Sequence, residues 1–252
     1  MVGRRTLGCF FCLFLVASAF SQLAPQATIL RYQFNKGPNG APVTVATDSG
    51  PFHLDGTVHG ALTYSSNVTK GGGKFSLNAS PDVDYVVLAQ TAGNAPLLNQ
   101  VQSFTLSALA MPTGGTTLDA FGDLVAGKMI TNGSGACLVT YSITYSLPLQ
   151  KFVGGVCGAD GSIQFVTSLD TFPINNWYKL VLKYSTIGTV TNIKLMVNGK
   201  AEGTLKLHSF AGPKLGNAGF QVGASNFVCD TCQFRRNFIG FIDEVKLTGQ
   251  VQ

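Results

Sequence analysis

Acidic residues are scarce in this chain, and glutamate is almost missing. Of 252 residues only 12% are charged, and the two glutamates are Glu202 and Glu244. Enzymes that cleave glycosidic bonds use two carboxyl groups that flank the scissile bond. Two such groups on one strand face the same groove when they stand at positions i and i+2. Asp82 and Asp84 come nearest to this pattern, in a loop that leads into a strand. We therefore expect a protein that is not an enzyme.

Other catalytic patterns are missing as well. The sequence has no Gly-x-Ser-x-Gly motif, and His53, His59 and His208 have no evident serine or aspartate partners. The histidines also lack ligand spacing to the cysteines, which argues against a zinc site. Residues 71–74, Gly-Gly-Gly-Lys, lack the spacing and the strand–loop–helix context of a phosphate-binding loop. The net charge of +5 for the full chain does not by itself indicate a polyanionic partner.

The first 21 residues have the pattern of a signal peptide. A pair of arginines precedes an apolar stretch over residues 7–16, and small residues then offer cleavage after Ala19 or Ser21. The apolar stretch is shorter than the about 20 residues that span a bilayer, and no later run approaches that length. An uncleaved membrane anchor is the alternative for this segment. The sequence predicts a secreted, extracellular protein without membrane insertion, whose mature part, residues 22–252, is one domain.

Four cysteines remain beyond the predicted signal peptide: Cys137, Cys157, Cys229 and Cys232. In an oxidising compartment four cysteines most simply form two disulfides, and three connectivities are open. We favour Cys137 with Cys157 and Cys229 with Cys232. The second pair lies in a Cys-Asp-Thr-Cys turn, which suits a loop staple because no thioredoxin-like pattern surrounds it.

Three sequons for N-glycosylation fit the same compartment, at Asn67, Asn78 and Asn132. Asn67 and Asn132 lie among turn residues, so we expect both to be exposed. Asn78 is the weakest acceptor because Pro81 follows its sequon directly. Chance occurrence of the tripeptide is the alternative for all three.

Alternation of apolar and polar residues, without a helical period, predicts an all-β fold. Asn198-Gly199 stands between two alternating runs and predicts a two-residue hairpin. The stretches over residues 35–58 and 66–82 predict loops. About ten strands at short spacing predict a two-sheet antiparallel β-sandwich, or jelly roll. The candidate strands are residues 28–34, 83–89, 103–111, 137–146, 162–168, 177–185, 192–198, 203–209, 219–225 and 238–249.

Several runs resemble the motifs of one family, in that family's order. FIGFIDEVKLTG, residues 238–249, resembles the closing strand of laminin-G-like, concanavalin A-like jelly rolls. LRYQFN resembles the opening strand, SFTLSALAMP a middle strand, and NNWYKLVLKYS the strand centred on tryptophan. Ala108 departs from the family, which usually has tryptophan there. The resemblance covers residues 28–249 and implies a sandwich of this type.

The resemblance also implies a Ca²⁺ site at the rim of the sandwich. Many jelly rolls of this group bind one Ca²⁺ through oxygens of the early Asp-x-Gly loop and of the closing strand, and Ca²⁺ prefers such ligands. The matching positions are Asp48, Gly50 and Asp243. The alternatives are an Asx-turn at Asp48 and, for Asp243, hydrogen bonds to neighbouring backbone.

The candidate ligand-binding residues are aromatic or basic. Carbohydrate sites combine aromatic and polar groups in a groove. Tyr141 and Tyr145 lie in the middle strands, which form the concave sheet in the family, and their equal parity puts them on one face. A core position is the alternative for both. A basic patch for a sulfated glycan is the second candidate, with a solubilising surface as its alternative. Its members are Arg235, Arg236, Lys179, Lys183 and Lys246.

These observations favour a secreted, non-catalytic recognition or adhesion module. The expected partner is a glycan or an extracellular matrix protein, with Ca²⁺ as a candidate cofactor and without nucleic acid. A structural component of an extracellular matrix, mineralised or not, is the alternative. A glycoside hydrolase-like enzyme ranks third because the paired carboxyl groups are missing.

Overall fold

The computed structural model describes residues 25–69, 76–79, 84–116, 119–129, 139–229 and 232–251. The predicted signal peptide, residues 1–21, lies outside these segments. Among the described residues we find no helix that could span a bilayer.

The described segments fold into short and medium strands with one short helix, α1 (Ala95–Leu98). The strands are β1 (Gln26–Tyr32), β2 (Val45–Ala46), β3 (Gly56–His59), β4 (Thr63–Ser65), β5 (Ser76–Ala79), β6 (Tyr85–Leu88), β7 (Ser103–Gly115), β8 (Asp123–Met129), β9 (Val139–Ser146), β10 (Lys151–Cys157), β11 (Ile163–Thr167), β12 (Tyr178–Ile187), β13 (Val190–Val197), β14 (Lys200–His208), β15 (Phe220–Val222), β16 (Ala224–Cys229) and β17 (Cys232–Gln250).

Two antiparallel sheets pack face to face. Sheet A has the order β14-β13-β12-β7-β17-β5-β4, and both β1 and β16 also pair with β17. Sheet B has the order β11-β10-β9-β8-β15-β6-β3-β2. The predicted two-sheet antiparallel sandwich is therefore confirmed.

The core lies between the sheets, and β12 shows how alternation builds it. Leu180 and Leu182 are fully buried, whereas Lys179 and Lys183 are exposed. Each buried leucine stabilises the fold by about 1.5–3 kcal/mol relative to an exposed one. Sheet B contributes the facing layer, which includes Tyr141, Ile143, Tyr145, Phe152 and Val156.

Periodicity missed the strands that do not alternate. β8 is buried along its whole length, and β10 contains Gly154 and Gly155. A Cβ on Gly154 would lie 2.6 Å from Leu182 Cδ1, so glycine lets the two sheets approach here. The predicted loops at residues 35–58 and 66–82 contain β2, most of β3, and β5. These strands are too short to show a period.

Candidate functional site

A groove crosses the outer face of sheet A, where β17, β7 and β12 lie side by side. Ser107 of β7 is opposite Lys246 of β17 on one side and Val181 of β12 on the other. Leu109 is opposite Lys179 of β12. Successive side chains point to opposite faces, so these are the ones that the core does not use. The groove encloses about 590 Å³, within the usual size of a ligand pocket.

The single tryptophan of the chain, Trp177, lines this groove directly before β12. Its indole Nε1 donates a hydrogen bond to Asn67 Oδ1 at 3.1 Å. Its ring centroid lies 6.5 Å from that of Phe241, with the planes tilted by 44°. These contacts hold the indole half-buried beside the polar groups of the groove. Such amphipathic aromatic surfaces are common in ligand sites.

Glu244 lines the groove from the other side of β7, and a β-bulge sets its position. The pairing of β17 with β7 shifts between Asp243 and Lys246, and Glu244 has a φ of 49°. A non-glycine residue in this left-handed region costs about 1–3 kcal/mol, and such strain is found preferentially at functional sites. The backbone N–H of Glu244 donates to Asp243 Oδ1 at 2.7 Å, which supports the bulge.

The Glu244 carboxylate is held by two side chains. Arg31 donates to Glu244 Oε2 through Nη2 at 2.7 Å and through Nε at 3.1 Å. Gln33 Nε2 donates to Oε1 at 3.0 Å. The Arg31 side chain is 41% exposed, so the ion pair stabilises the fold by at most about 1 kcal/mol. Its larger effect is to fix a donor and an acceptor at the groove wall.

The predicted hairpin closes one end of the groove. Val197 is opposite Lys200, and Asn198 and Gly199 form the turn with φ of 52° and 84°. The Asn198 side-chain Oδ1 accepts a hydrogen bond from the Lys179 backbone N–H at 2.9 Å. The prediction of a two-residue Asn-Gly turn is confirmed, and the turn is tied to the strand that bears Lys179.

Asp48, a predicted calcium ligand, organises the loop after β2. Its Oδ1 accepts hydrogen bonds from the backbone N–H groups of Arg31 and Gly50, both at 2.7 Å, and its Oδ2 accepts one from Leu54 at 2.8 Å. The hydrogen bond from the Gly50 N–H forms an Asx-turn, which was the alternative to calcium binding by Asp48. Two N–H donors use both lone pairs of Oδ1. The Asp48 carboxylate thus caps three backbone N–H groups of this loop and of β1.

Asp243 makes the hydrogen bond to neighbouring backbone that was the alternative to calcium binding. Its Oδ1 accepts the Glu244 backbone N–H at 2.7 Å. No group of three or more His, Cys, Asp or Glu side chains in the described residues is placed to hold a metal ion. Calcium binding by Asp48, Gly50 and Asp243 stays a prediction. Titration calorimetry tests it: Ca²⁺-dependent heat that vanishes in Asp243→Ala would support the site, and no heat in the wild type would remove it.

The prediction that Tyr141 and Tyr145 contact a ligand is wrong. Both side chains are fully buried in the core between the sheets. The Tyr141 hydroxyl donates to Leu98 O at 2.9 Å and the Tyr145 hydroxyl to Phe172 O at 2.8 Å. Equal parity does put them on one face of β9, but that face is the inner one.

Arg236 does not share the groove with the predicted lysines. Its guanidinium forms a two-point ion pair with Asp119, at 2.8 Å and 2.6 Å, and donates to Gly122 O at 2.9 Å. This pairing lowers the pKa of the Asp119 carboxyl. Arg236 lines a smaller cavity of about 120 Å³ over sheet B. The predicted patch is thus divided, and the Arg235 side chain lies outside the described part of the structure.

The cysteines and sequons are only partly described. Cys157 is fully buried and disulfide-bonded, but Cys137 lies outside the described residues, so their pairing stays a prediction. Cys229 and Cys232 are opposite residues at the end of the β16–β17 hairpin, and their predicted bond likewise stays open. For the sequons, the structure exposes Asn67 and places Asn78 within β5, whereas Asn132 lies outside the described segments.

Comparison with known families identifies the fold class. A laminin G family model, described as "Concanavalin A-like lectin/glucanases superfamily", matches residues 82–251. This match spans most of the chain, and the chain belongs to that superfamily. The predicted family resemblance is confirmed. No protein among the curated sequences matches the chain.

Solved structures of low sequence identity share the fold. The binding domain of Paraclostridial Mosquitocidal Protein 1 is similar with a TM-score of 0.60 and 11% identity, over 90% of this chain and 49% of that one. The binding domain of botulinum neurotoxin serotype D/C is similar with a TM-score of 0.55 and 15% identity, over 90% of this chain and 50% of that one. This chain therefore spans about half the length of either domain.

Trp177 and Arg31 line the groove but are not among the site residues predicted from the sequence. Trp177 carries a signal, since it is the chain's single tryptophan and directly precedes a strand with outward lysines. Arg31 carries no such signal in the sequence, because Arg31 and Glu244, which are in contact, lie 213 positions apart along the chain. Only the pairing of β1 with β17 brings them together.

Proposed function

We propose that this chain is a secreted, non-catalytic recognition module that binds a glycan in the groove on the outer face of sheet A. The observation that carries the proposal is the position of Trp177. It lines a groove of about 590 Å³ whose other lining residues include Ser107, Asn198 and the Arg31–Glu244 pair. Sugar rings present both apolar C–H faces and hydroxyl groups, and this groove offers partners for both. Membership of a lectin and glucanase superfamily supports the same ligand class.

The positions of the glutamates support binding without catalysis. Glu202 is 1% exposed and bound to Lys200 at 3.2 Å and to the Asp170 backbone N–H at 2.9 Å. Glu244 is the one carboxylate that lines the groove among the described residues. A glycosidase needs a second carboxyl group within about 5–10 Å across the bond to be cleaved.

A glycan array with wild type and two matched variants tests the proposal. Trp177→Ala should lower the affinity for the bound glycans at least tenfold, because the aromatic surface of the groove is lost. Phe121→Ala is the control, since Phe121 is 42% exposed but lies over sheet B. Equal binding by wild type and Trp177→Ala would contradict the proposal. Self-association without any array signal would favour the structural matrix role instead.

A further inference from the structure

Basic side chains continue beyond the groove across sheet A. One or two outward residues on each of five strands are basic, and their neighbours along the strand are buried or packed on the core. The strands concerned are β1, β17, β12, β13 and β14, with β7 between β17 and β12. At about 4.8 Å per strand, this set of six strands extends over about 24 Å. The outer-face cations, as we call them, are Arg31, Lys246, Lys179, Lys183, Lys194 and Lys206.

Like charges stand directly opposite each other on this face. Arg31 pairs with Lys246 across β1–β17, and Lys183 pairs with Lys194 across β12–β13. Directly opposite like charges destabilise a sheet. A face that only had to be soluble would gain from mixed signs. The arrangement therefore indicates a face adapted to negative charge supplied from outside.

Among the outer-face cations, only Arg31 is neutralised by a described acidic side chain, that of Glu244. Along these six strands the described acidic residues are Glu202, Asp243 and Glu244, and the first two are buried. Glu244 is bound to Arg31 at 2.7 Å. Within the described residues, no carboxylate comes within 4.0 Å of the five outer-face lysines. The exposed Asp170 is paired with Lys200, which is not one of the outer-face cations.

We infer that the ligand of this face is an anionic polysaccharide, whose sulfate or carboxylate groups contact the outer-face cations while a sugar ring contacts Trp177. The inference rests on the proposed glycan-binding function and names its ligand class. The length of the basic row fits an extended polymer better than one sugar. Lysine suits this role because its ammonium group is a compact point charge on a flexible stem. Polymer binding releases counterions, so the affinity falls steeply with salt.

Binding to immobilised heparin, polyglucuronate and dextran tests this inference, with measurements at 50 and 300 mM NaCl. Heparin carries both sulfates and carboxylates, polyglucuronate carries carboxylates alone, and dextran carries no charge. Lys183→Ala/Lys194→Ala should lower the affinity for at least one anionic polymer tenfold or more and flatten its salt dependence. Lys36→Ala/Lys214→Ala removes the same charge away from the face and should change the affinity less than threefold. Retention of the protein on heparin but not on polyglucuronate would show that sulfate is required, whereas retention on polyglucuronate would show that carboxylates suffice.

The remaining outcomes separate the two proposals. Neutral glycans bound through Trp177 with no salt dependence would overturn the anionic ligand and leave the glycan-binding function standing. Equal affinity for single-stranded DNA of the same charge would overturn a polysaccharide ligand in favour of unspecific polyanion binding. No binding to any array glycan or polymer would overturn both. Equal losses in the two lysine pairs would also remove the outer-face site.

Discussion

The outer faces of the two sheets differ in what covers them. On sheet A, Lys179 and Lys183 of β12 are exposed to solvent. On sheet B, the outward residues of β9 are polar and yet buried, with exposed fractions of 1% for Thr140, 3% for Ser142 and 0% for Ser146. The alternation of polar residues along β9 would predict a solvent-exposed face, but other parts of the chain cover that face.

A short segment of the chain provides part of this shield. Residues 119–122 accept hydrogen bonds from the hydroxyls of Ser146 and Thr144 through backbone oxygens. Arg236 binds Asp119 of the same segment through its two-point ion pair. One sandwich thus carries a covered polar face and an open basic face. This difference is why we place ligand binding on sheet A rather than on the middle strands of sheet B.

A substitution that disrupts the packing of residues 119–122 on sheet B should have the largest effect on stability. Gly122 has a φ of 72°, and a Cβ there would lie 2.0 Å from Tyr145 O. We expect Gly122→Ala to lower the free energy of unfolding by about 3 kcal/mol or more, measured by urea denaturation. Gly161→Ala is the control, because Gly161 also has a positive φ but open space around it, so about 1 kcal/mol is expected. Equal losses of unfolding free energy in the two variants would show that the close approach of Gly122 to Tyr145 O does not cause the destabilisation.

Lys128 offers a test on the inner face of sheet B, because it is opposite Tyr141 and Phe220 of the core and its charge is buried. Its Nζ donates to Gln90 Oε1 at 2.6 Å, to Ala218 O at 2.9 Å and to Gly216 O at 3.1 Å. Burial lowers the pKa of the Lys128 ammonium from 10.5 to about 8.

The unfolded chain therefore binds more protons than the folded one between pH 8 and 10. We expect the free energy of unfolding to rise by about 1–3 kcal/mol over this range relative to Lys128→Met. The measurement is denaturation of both proteins at several pH values up to 10. Above that pH the buried tyrosines act in the opposite direction, because burial raises the pKa of Tyr141 in the folded state only. A constant difference between the two proteins would contradict a lowered pKa.

A substitution at Glu244 should have the smallest effect, and it should change ligand affinity at the outer face of sheet A. Glu244→Gln keeps the size of the side chain and a hydrogen-bond acceptor for Arg31 but removes the negative charge beside it. We expect the affinity for the anionic polymer to rise two- to fivefold at low salt and the unfolding free energy to change by less than about 1 kcal/mol. Surface plasmon resonance with the immobilised polymer at two salt concentrations measures the affinity of both proteins. Asp170→Asn, which removes an exposed acid near Lys200, serves as the control. A lower affinity in Glu244→Gln would assign its carboxylate to ligand contact.

Periodicity and turn chemistry predicted much of the sandwich and part of the groove. The alternation in β12 and the Asn198-Gly199 turn are local features, and both are as predicted. The groove itself depends on contacts between distant residues. The bulge at Glu244 and its ion pair with Arg31 exist only because β17 pairs with β7 on one edge and β1 on the other. No local pattern encodes such a register.

The sequence by itself determined the fold class, because a period of two and glycine-rich turns are local properties that each strand carries alone. It also determined that the chain holds one tryptophan and two glutamates. Only the tertiary structure decided which faces are covered. Tyr141 and Tyr145 alternate as an exposed aromatic pair would, but packing of the sheets put them inside. Lys183 and Lys194 became neighbours only through the pairing of β12 with β13. Burial and charge proximity are properties of the packed sheets, and these decide where a ligand is able to bind.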